Sequence, residues 1–226
     1  MPATNSLYAM ALTPGILARG PWGPEQVSAR WREEEYEPPG AATEAADAAI
    51  AALRERGSPA HDGLSARLTA HREDGGGLVL ELQPTRWALR LNPGDALQSL
   101  ASMCVVRASD GRWLAGRRAG WLATWAGRWA LGAGGAVDCG ENPVDTLGRE
   151  LAEEWSVNAE RITVEALVCL PQQLVLLVGL AWLAEGAEVV PDAEHDAFAW
   201  WPPEVDRWPP EADEPLRQTA IMLAAP

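Results

Sequence analysis

The alternation of apolar and polar positions along the chain predicts an α/β protein. The clearest helical pattern follows Asn142-Pro143, a helix start, and places apolar residues on one face up to Trp155. Runs of helix-forming residues predict a second helix over 41–56 and a terminal helix over 211–224. Short apolar segments predict strands over 65–71, 78–84, 85–91, 101–108, 112–117, 162–170, 173–184 and 196–201. Residues 1–40 are predicted to be irregular, because Pro and Gly punctuate them.

These elements divide the chain into two parts. Residues 1–97 are predicted to form a smaller α+β extension, with a hairpin that turns at 74–77. Residues 98–226 are predicted to form the main α/β domain, which contains a second hairpin at Asp110-Gly111. No flexible Ser/Gly segment joins the two parts, so we expect the extension to pack on the domain and to help close its substrate pocket.

The charge of the chain is strongly acidic and unevenly distributed. The net charge of −14 argues against long nucleic acids and anionic membrane surfaces as partners. Residues 105–130 nevertheless carry five arginines against the single acid Asp110. Within this basic segment, Arg117 and Arg118 are candidates for binding substrate phosphates. A solvated strand edge explains the same two side chains equally well.

Cysteine spacing and apolar stretches bear on the compartment. The three cysteines have no metal-binding spacing and form no disulfide framework, which favours a reducing cytoplasm. The longest apolar stretch, residues 174–184, is too short to cross a membrane, and the N-terminus lacks the pattern of a signal peptide. We therefore expect a cytoplasmic protein.

A cluster of carboxylates and one arginine stands at fixed offsets around the helix that follows Asn142. Its positions are Gly135, Glu141, Arg149, Glu150, Leu151, Glu153, Glu154 and Val157. Glu150, Glu153 and Glu154 lie close together on the helix surface, where their charges repel one another. A divalent cation that prefers oxygen ligands, Mg²⁺ or Mn²⁺, is the natural reason to tolerate this repulsion.

This spacing resembles the signature of the Nudix hydrolases. The resemblance implies an α/β/α sandwich with a mixed sheet, and metal ligation by Glu150, Glu153 and Glu154 together with a backbone carbonyl at or near Gly135. It also implies that Arg149 pairs with Glu141 and fixes the loop before the helix. Ser156 departs from the pattern, because the family usually has Gly there. Since Ser tolerates a left-handed conformation less well than Gly, we expect the exit from the helix to differ.

The resemblance implies hydrolysis of a diphosphate bond, with water attacking phosphorus. The general base is one of the motif glutamates or a later acid, with Glu194 the first candidate outside the motif. The extension faintly resembles that of UDP-sugar-cleaving members of the family. The expected substrate is therefore a nucleoside diphosphate linked to another moiety, of the nucleotide-sugar or ADP-ribose type. The expected partner is this small nucleotide, bound by a monomer or a homodimer.

Two alternative functions remain open at this point. An isomerase of isopentenyl diphosphate would need a cysteine such as Cys104 acting with a glutamate across an alkene. A non-catalytic Nudix-like module would bind a nucleotide ligand without turning it over. Two further residue types are ambiguous: some of the 12 tryptophans could stack on a nucleobase or fill the core, and His195 could act in the site or lie in a hydrogen-bonded loop.

Overall fold

The computed structural model of the chain describes residues 11–58 and 62–224. Its strands are β1 (Gly15–Trp22), β2 (Val27–Trp31), β3 (Leu64–Asp74), β4 (Gly77–Arg86), β5 (Leu100–Arg107), β6 (Trp113–Arg118), β7 (Trp129–Leu131), β8 (Ala133–Ala136), β9 (Arg161–Cys169), β10 (Val175–Trp182) and β11 (His195–Trp201). Its helices are α1 (Gly40–Glu55), α2 (Pro143–Trp155) and α3 (Glu214–Ala224). Short 3-10 turns occupy Pro24–Gln26, Trp87–Leu91 and Val205–Arg207.

A mixed sheet forms the centre of the main domain. Its strands run in the order β1-β9-β10-β5-β6-β11, with β7 paired to β6 and β8 paired to β5. The pair β5–β10 is parallel and the other pairs are antiparallel. This topology brings the end of β8, where the carboxylate motif begins, directly beside β5.

The two faces of this sheet are covered by different helices. Leu147 and Leu151 of α2 share one buried cluster with Cys104 of β5, whereas Leu223 of α3 shares another cluster with Val105. Neighbouring residues of a strand point to opposite faces, so α2 and α3 lie on opposite sides of β5. The predicted α/β/α sandwich with a mixed sheet is confirmed.

A second, three-stranded sheet of order β2-β4-β3 packs on the same core as α2. The alternate residues Leu78, Leu80 and Leu82 of β4 are fully buried in that cluster. Strand β3 also bonds to the main domain through its backbone, at 2.8 Å from Ala66 N to Val137 O. The division of the chain at residue 97 stays a prediction, and the structure adds that β1 lies in the main sheet.

The sequence predictions were wrong at several places. Residues 11–40, predicted to be irregular, contain β1 and β2, and residues 1–10 lie outside the described part. Strand β1 forms the edge of the main sheet and is stabilised by pairing with β9. The local sequence of β1 gives no sign of this pairing, because strand formation depends on the neighbouring strand. The predicted strand over 85–91 is instead the end of β4 followed by a 3-10 turn. Strands β7 and β8 were missed because they have only three and four residues and β8 is rich in Gly.

The predicted helices and the remaining strands lie within a few residues of their expected bounds. Across residues 11–58 and 62–224, none of the helices has the length and apolarity that crossing a membrane requires.

Candidate active site

Helix α2 is positioned by its two ends and its apolar face. Asn142 caps the first turn, where its side-chain oxygen accepts a hydrogen bond from Val144 N at 3.1 Å. Pro143 occupies the first helical position, which suits its missing N–H. The helix ends at Trp155, which is fully buried in the core cluster and donates from Nε1 to Gly132 O at 3.0 Å. This packing fixes the face on which the motif carboxylates project.

The residue after α2 is the one that departs from the Nudix pattern. Ser156 adopts φ 53° and ψ 33°, the left-handed conformation that usually favours Gly. Its backbone N–H donates to Ala152 O at 3.0 Å, so the helix ends with a left-handed cap. The expectation that the exit would differ was therefore wrong. The backbone geometry is imposed by the packing around it, at a cost of about 1 kcal/mol for a residue with a Cβ.

Arg149 holds together the carboxylates at the start of the motif and on α2. Its guanidinium donates two hydrogen bonds to Glu141, from Nε to Oε1 at 3.0 Å and from Nη2 to Oε2 at 3.1 Å. The same group donates to Glu150 Oε1 at 2.7 Å, to Glu153 Oε2 at 3.1 Å and to Ala136 O at 3.2 Å. Arg149 therefore ties the loop at Ala136 and Glu141 to helix α2, and its guanidinium lies among the carboxylates of the motif.

Glu141 is a structural anchor of the loop before α2. Burial alone would raise its pKa, but hydrogen bonds from Arg149 and Thr146 outweigh burial and hold the pKa below its ordinary value. The N-terminal extension contacts this loop as well: Trp31 Nε1 donates to Glu141 O at 3.1 Å, and Asn142 Nδ2 donates to Val27 O at 3.3 Å. Strand β2 therefore helps to hold the motif loop in place.

Glu150 occupies space that only a glycine leaves open. A Cβ built on Gly135 would lie 2.1 Å from Glu150 Oε1, so any larger residue there would displace the carboxylate. Burial raises the pKa of Glu150 to about 7, and the neighbouring Arg149 opposes this rise. The loop at Gly135 and the carboxylate of Glu150 are thus in close contact, as the Nudix resemblance implies.

Glu154 is the most deeply buried motif acid. Its Oε1 accepts a hydrogen bond from Gly134 N at 2.9 Å, while its Oε2 has no hydrogen-bond partner among the described residues. Burial raises the pKa of Glu154 to about 9, far above that of an ordinary glutamate. A buried carboxylate oxygen without a donor is an expensive arrangement, and a cation or a proton would relieve it.

His195 lies beside Glu154 at the start of β11 and is buried. Its Nε2 is 3.5 Å from Glu154 Oε2, its Nδ1 is 3.5 Å from Asp192 Oδ1, and its ring packs 4.4 Å from that of Trp155. Burial lowers its pKa, which favours the neutral ring. Each ring nitrogen thus faces one carboxylate oxygen at the long limit of a hydrogen bond. The histidine lies beside the carboxylates of the site and is held between two acids, so the sequence alternatives of a site residue and of a loop histidine meet at the same position.

The predicted metal ligands are carboxylates that other side-chain and backbone groups engage in this structure. Within residues 11–58 and 62–224, no group of three or more His, Cys, Asp or Glu side chains is arranged to hold a metal ion. The carboxylates do not converge because each has another partner: Arg149 donates to Glu150 and Glu153, and Gly134 N donates to Glu154. The donors themselves are carboxylate oxygens, one of them buried without a partner, and these fit Mg²⁺ or Mn²⁺.

Strand β6 separates the two predicted phosphate-binding arginines. Arg117 pairs with Asp196 at 2.6 Å on the surface and is absent from the cavity beside the motif. Arg118 lines this cavity, and its Nη2 is 3.9 Å from Glu194 Oε2. Adjacent residues of a strand point in opposite directions, so the sheet places only one of the pair at the site.

Glu194 lies next to the carboxylates of α2, as its proposed role requires. Burial raises its pKa, Arg118 opposes the rise, and the charges of Asp192 and Glu153 add to it. Arg118 and Glu194, both selected from the sequence, therefore lie together beside the motif, whereas Arg117 lies elsewhere.

A cavity of about 320 Å³ opens beside the motif. Gly134, Gly135 and Glu154 form its acidic end, and Arg118 lies near them. Sequence reasoning missed Arg90 and Arg128 and did not select any tryptophan, yet Arg90, Arg128, Trp125 and Trp129 all line this cavity. Arg90 comes from the 3-10 turn after β4, in a segment without any motif. Only the folded structure brings it to the site.

Cys104 does not take part in the cavity. Its side chain is fully buried in the core between β5 and α2, and burial raises the pKa of its thiol to about 12. An isomerase that used Cys104 as an acid–base group would need a thiol exposed to the substrate. The structure therefore gives no support to that alternative.

The comparison with protein families agrees with this geometry. The family model described as NUDIX domain matches residues 97–219, which is more than half of the chain. The chain belongs to this family. With the complete set of motif glutamates around α2, it is a Nudix hydrolase that acts on pyrophosphate bonds. A search among curated proteins finds no match.

Several solved structures of Nudix proteins are similar to this chain. A MutT NUDIX hydrolase from Burkholderia pseudomallei is 26% identical, over 56% of this chain and 98% of that one, with a TM-score of 0.47. A C. elegans Ap4A hydrolase in a binary complex is 21% identical, over 55% and 98%, with a TM-score of 0.43. The NUDIX domain of Shewanella oneidensis NrtR complexed with ADP ribose is 20% identical, over 56% and 88%, with a TM-score of 0.41.

Proposed function

We propose that this Nudix hydrolase is a divalent-cation-dependent pyrophosphohydrolase for a nucleoside diphosphate linked to a second moiety, of the nucleotide-sugar or ADP-ribose type. The observation that carries the proposal is the cavity that joins the carboxylate of Glu154 on α2 to arginine and tryptophan side chains. Arginines suit the phosphates, and tryptophan faces suit a planar base. A single ligand with both groups fits this arrangement.

The motif carboxylates would hold the cation. Glu150, Glu153 and Glu154 would supply side-chain oxygens, with a backbone carbonyl at or near Gly135. When bound, Mg²⁺ or Mn²⁺ would orient the attacking water and neutralise charge that develops on the phosphate oxygens. Arg149 bonds to one oxygen of Glu150 and one oxygen of Glu153 in this structure, so the second oxygen of each carboxylate would be the one offered to the cation.

The remaining residues would bind the substrate and move a proton. Arg118 would contact the diphosphate at the acidic end of the cavity, where Glu194 would accept a proton from water as its oxygen attacks phosphorus. A raised pKa makes Glu194 a stronger base than an ordinary carboxylate, which supports this role over that of a mere surface acid. The bond between phosphorus and the bridging oxygen breaks, and the two phosphate products separate. Arg117 lies outside the cavity and does not enter the proposal.

The test is a panel of nucleotide conjugates incubated with the purified protein and Mg²⁺, Mn²⁺ or EDTA. ADP-ribose, UDP-glucose and nucleoside triphosphates would be compared, with products identified by mass spectrometry. We expect the conjugates to be cleaved to two monophosphates only when a divalent cation is present. Performing the reaction in ¹⁸O-labelled water would show which phosphorus is attacked.

A matched pair of variants connects this activity to the motif. Glu153→Gln should lower turnover at least about a hundredfold, because it removes one charged ligand of the proposed cation site. Glu160→Gln makes the same change at an exposed glutamate just beyond the helix and should leave turnover unchanged. Preferred cleavage of nucleoside triphosphates, or turnover that persists in EDTA, would overturn the proposal. Tight binding of the conjugates with no cleavage under any metal would point to a non-catalytic module.

A further inference from the structure

A second cavity lies on the other side of Arg90. It measures about 370 Å³ and is bounded by α1 of the N-terminal extension and by the loop between β6 and β7. We call it the extension cavity; the residues that matter below are Ala52, Arg56, Arg90, Thr124, Trp125 and Gln172. Arg90, Trp125 and Gln172 also line the cavity beside the motif. The two cavities therefore share a wall, and the shared wall includes a cation.

The guanidinium of Arg90 has no partner of its own in the described part of the chain. No hydrogen bond and no ion pair of the residues 11–58 and 62–224 reaches it, and its guanidinium carbon lies 5.7 Å from the ring of Trp87. Burial lowers its pKa to about 10, so it keeps its charge at neutral pH. Of the two charged side chains that most affect it, Glu150 attracts the cation and Arg118 repels it. A half-buried cation between two cavities is stabilised by an anion that enters from either side.

The two cavities differ in the chemistry of their walls. The cavity beside the motif has an apolar part made by Trp129, Leu131 and Leu176. The extension cavity has Ala and Leu side chains in its wall as well, but it adds the hydroxyl of Thr124 and the cation of Arg56, and it shares the amide of Gln172 with the first cavity. The aromatic part of the first cavity suits a planar base, and the polar side chains of the extension cavity can bond to the hydroxyls of a second moiety.

We propose that the extension cavity is a subsite for the moiety linked to the distal phosphate, and that Arg90 binds the diphosphate where the two cavities meet. This inference rests on the proposed function and deepens it. The base would lie in the cavity beside the motif, the diphosphate would cross between Arg118 and Arg90, and a hydroxylated group would occupy the extension cavity. The N-terminal extension would then determine which conjugates bind, because α1 and Arg90 both belong to it.

Two substitutions of the same kind on α1 test the subsite. Ala52→Leu adds a branched side chain to the wall of the extension cavity, whereas Ala51→Leu adds it at the neighbouring exposed position, which does not line the cavity. Binding would be measured by calorimetry in Mg²⁺ with analogues whose bridging oxygen is a methylene group and which therefore cannot be cleaved. The probes are the α,β-methylene analogues of ADP-ribose and UDP-glucose, each paired with the corresponding truncated analogue of ADP or UDP.

The subsite predicts a selective loss of binding. Ala52→Leu should weaken binding of the conjugate analogue at least about tenfold, since overpacking an occupied site is costly, and should change binding of the truncated analogue less than about twofold. Ala51→Leu should change neither. Arg90→Ala should weaken both analogues about tenfold or more, because both carry the diphosphate that the arginine contacts, and Arg90→Lys should restore part of the loss. Melting curves would confirm that each variant folds.

The outcomes separate this inference from the proposed function. Equal effects of Ala52→Leu on conjugate and truncated analogues, no effect on either, or a wild-type protein that binds neither conjugate would overturn the subsite. Unaltered binding of both analogues by Arg90→Ala would overturn the assignment of Arg90. A wild-type protein that binds the analogues in the predicted way but does not cleave the natural conjugates would instead overturn the proposed function and leave the subsite standing.

Discussion

Replacement of Glu154 by Gln gives a prediction whose size follows from the structure. The side chain of Glu154 is buried, with one oxygen bonded to Gly134 N and the other without a hydrogen-bond donor among the described residues. Glutamine has nearly the same shape and can still accept the bond from Gly134 N. The substitution therefore removes an ionisable group from this buried position while changing the packing little.

The magnitude comes from the raised pKa. Because the pKa of Glu154 rises from 4.5 to about 9 on folding, the folded state holds its proton more tightly than the unfolded state does. Its contribution to stability is therefore greatest below pH 4.5 and is lost as the pH rises towards 9. Each pH unit in this window costs about 1.4 kcal/mol, so the wild-type protein without metal loses about 2–3 kcal/mol between pH 5 and pH 7. The Glu154→Gln variant lacks this loss.

The assay is urea or thermal unfolding of both proteins in EDTA between pH 5 and pH 8. We expect the stability advantage of Glu154→Gln to grow with pH by about 2–3 kcal/mol up to pH 7, or about 5–10 °C in Tm. Glu160→Gln, at an exposed position, serves as the control and should show little change. Saturating Mg²⁺ should stabilise the wild type more than the variant. A stability difference that stays constant with pH would refute the raised pKa of Glu154. Equal stabilisation of both proteins by Mg²⁺ would refute Glu154 as a ligand.

Three further outcomes test the brace, the loop and the helix end. Arg149→Ala should lower the free energy of unfolding by about 1–3 kcal/mol as well as activity, because Glu141 loses both of its bonds to the guanidinium; unchanged stability with only a raised KM would indicate direct substrate binding. Gly135→Ala should lower activity more than stability, since the added Cβ would displace the carboxylate of Glu150, and an active variant would contradict this contact. Ser156→Gly should stabilise the protein by about 1 kcal/mol in urea unfolding with activity unchanged, because Gly adopts a left-handed conformation without strain, and a loss of stability would disprove that account.

The sequence by itself determined the local features of the site. The cap at Asn142, the apolar face of α2 and the grouping of its glutamates all follow from spacing within one helix, which a sequence displays directly. The pairing of Arg149 with Glu141, implied by the Nudix resemblance, is present in the structure. The apolar pattern predicted an α/β protein with its three helices and most of its strands, and the α/β/α sandwich was implied by the Nudix resemblance.

Only the tertiary structure decided which other side chains meet these carboxylates. Strand β1 forms because β9 offers it an edge, and Arg90 reaches the cavity because β4 and its 3-10 turn pack against the main domain. Arg118 and not Arg117 lines the cavity, because only one face of β6 is directed towards it. The left-handed backbone at Ser156 is likewise set by its surroundings and not by its own preference. Each of these features depends on contacts between residues far apart in the chain, whose free energy no local pattern of apolar and polar residues records.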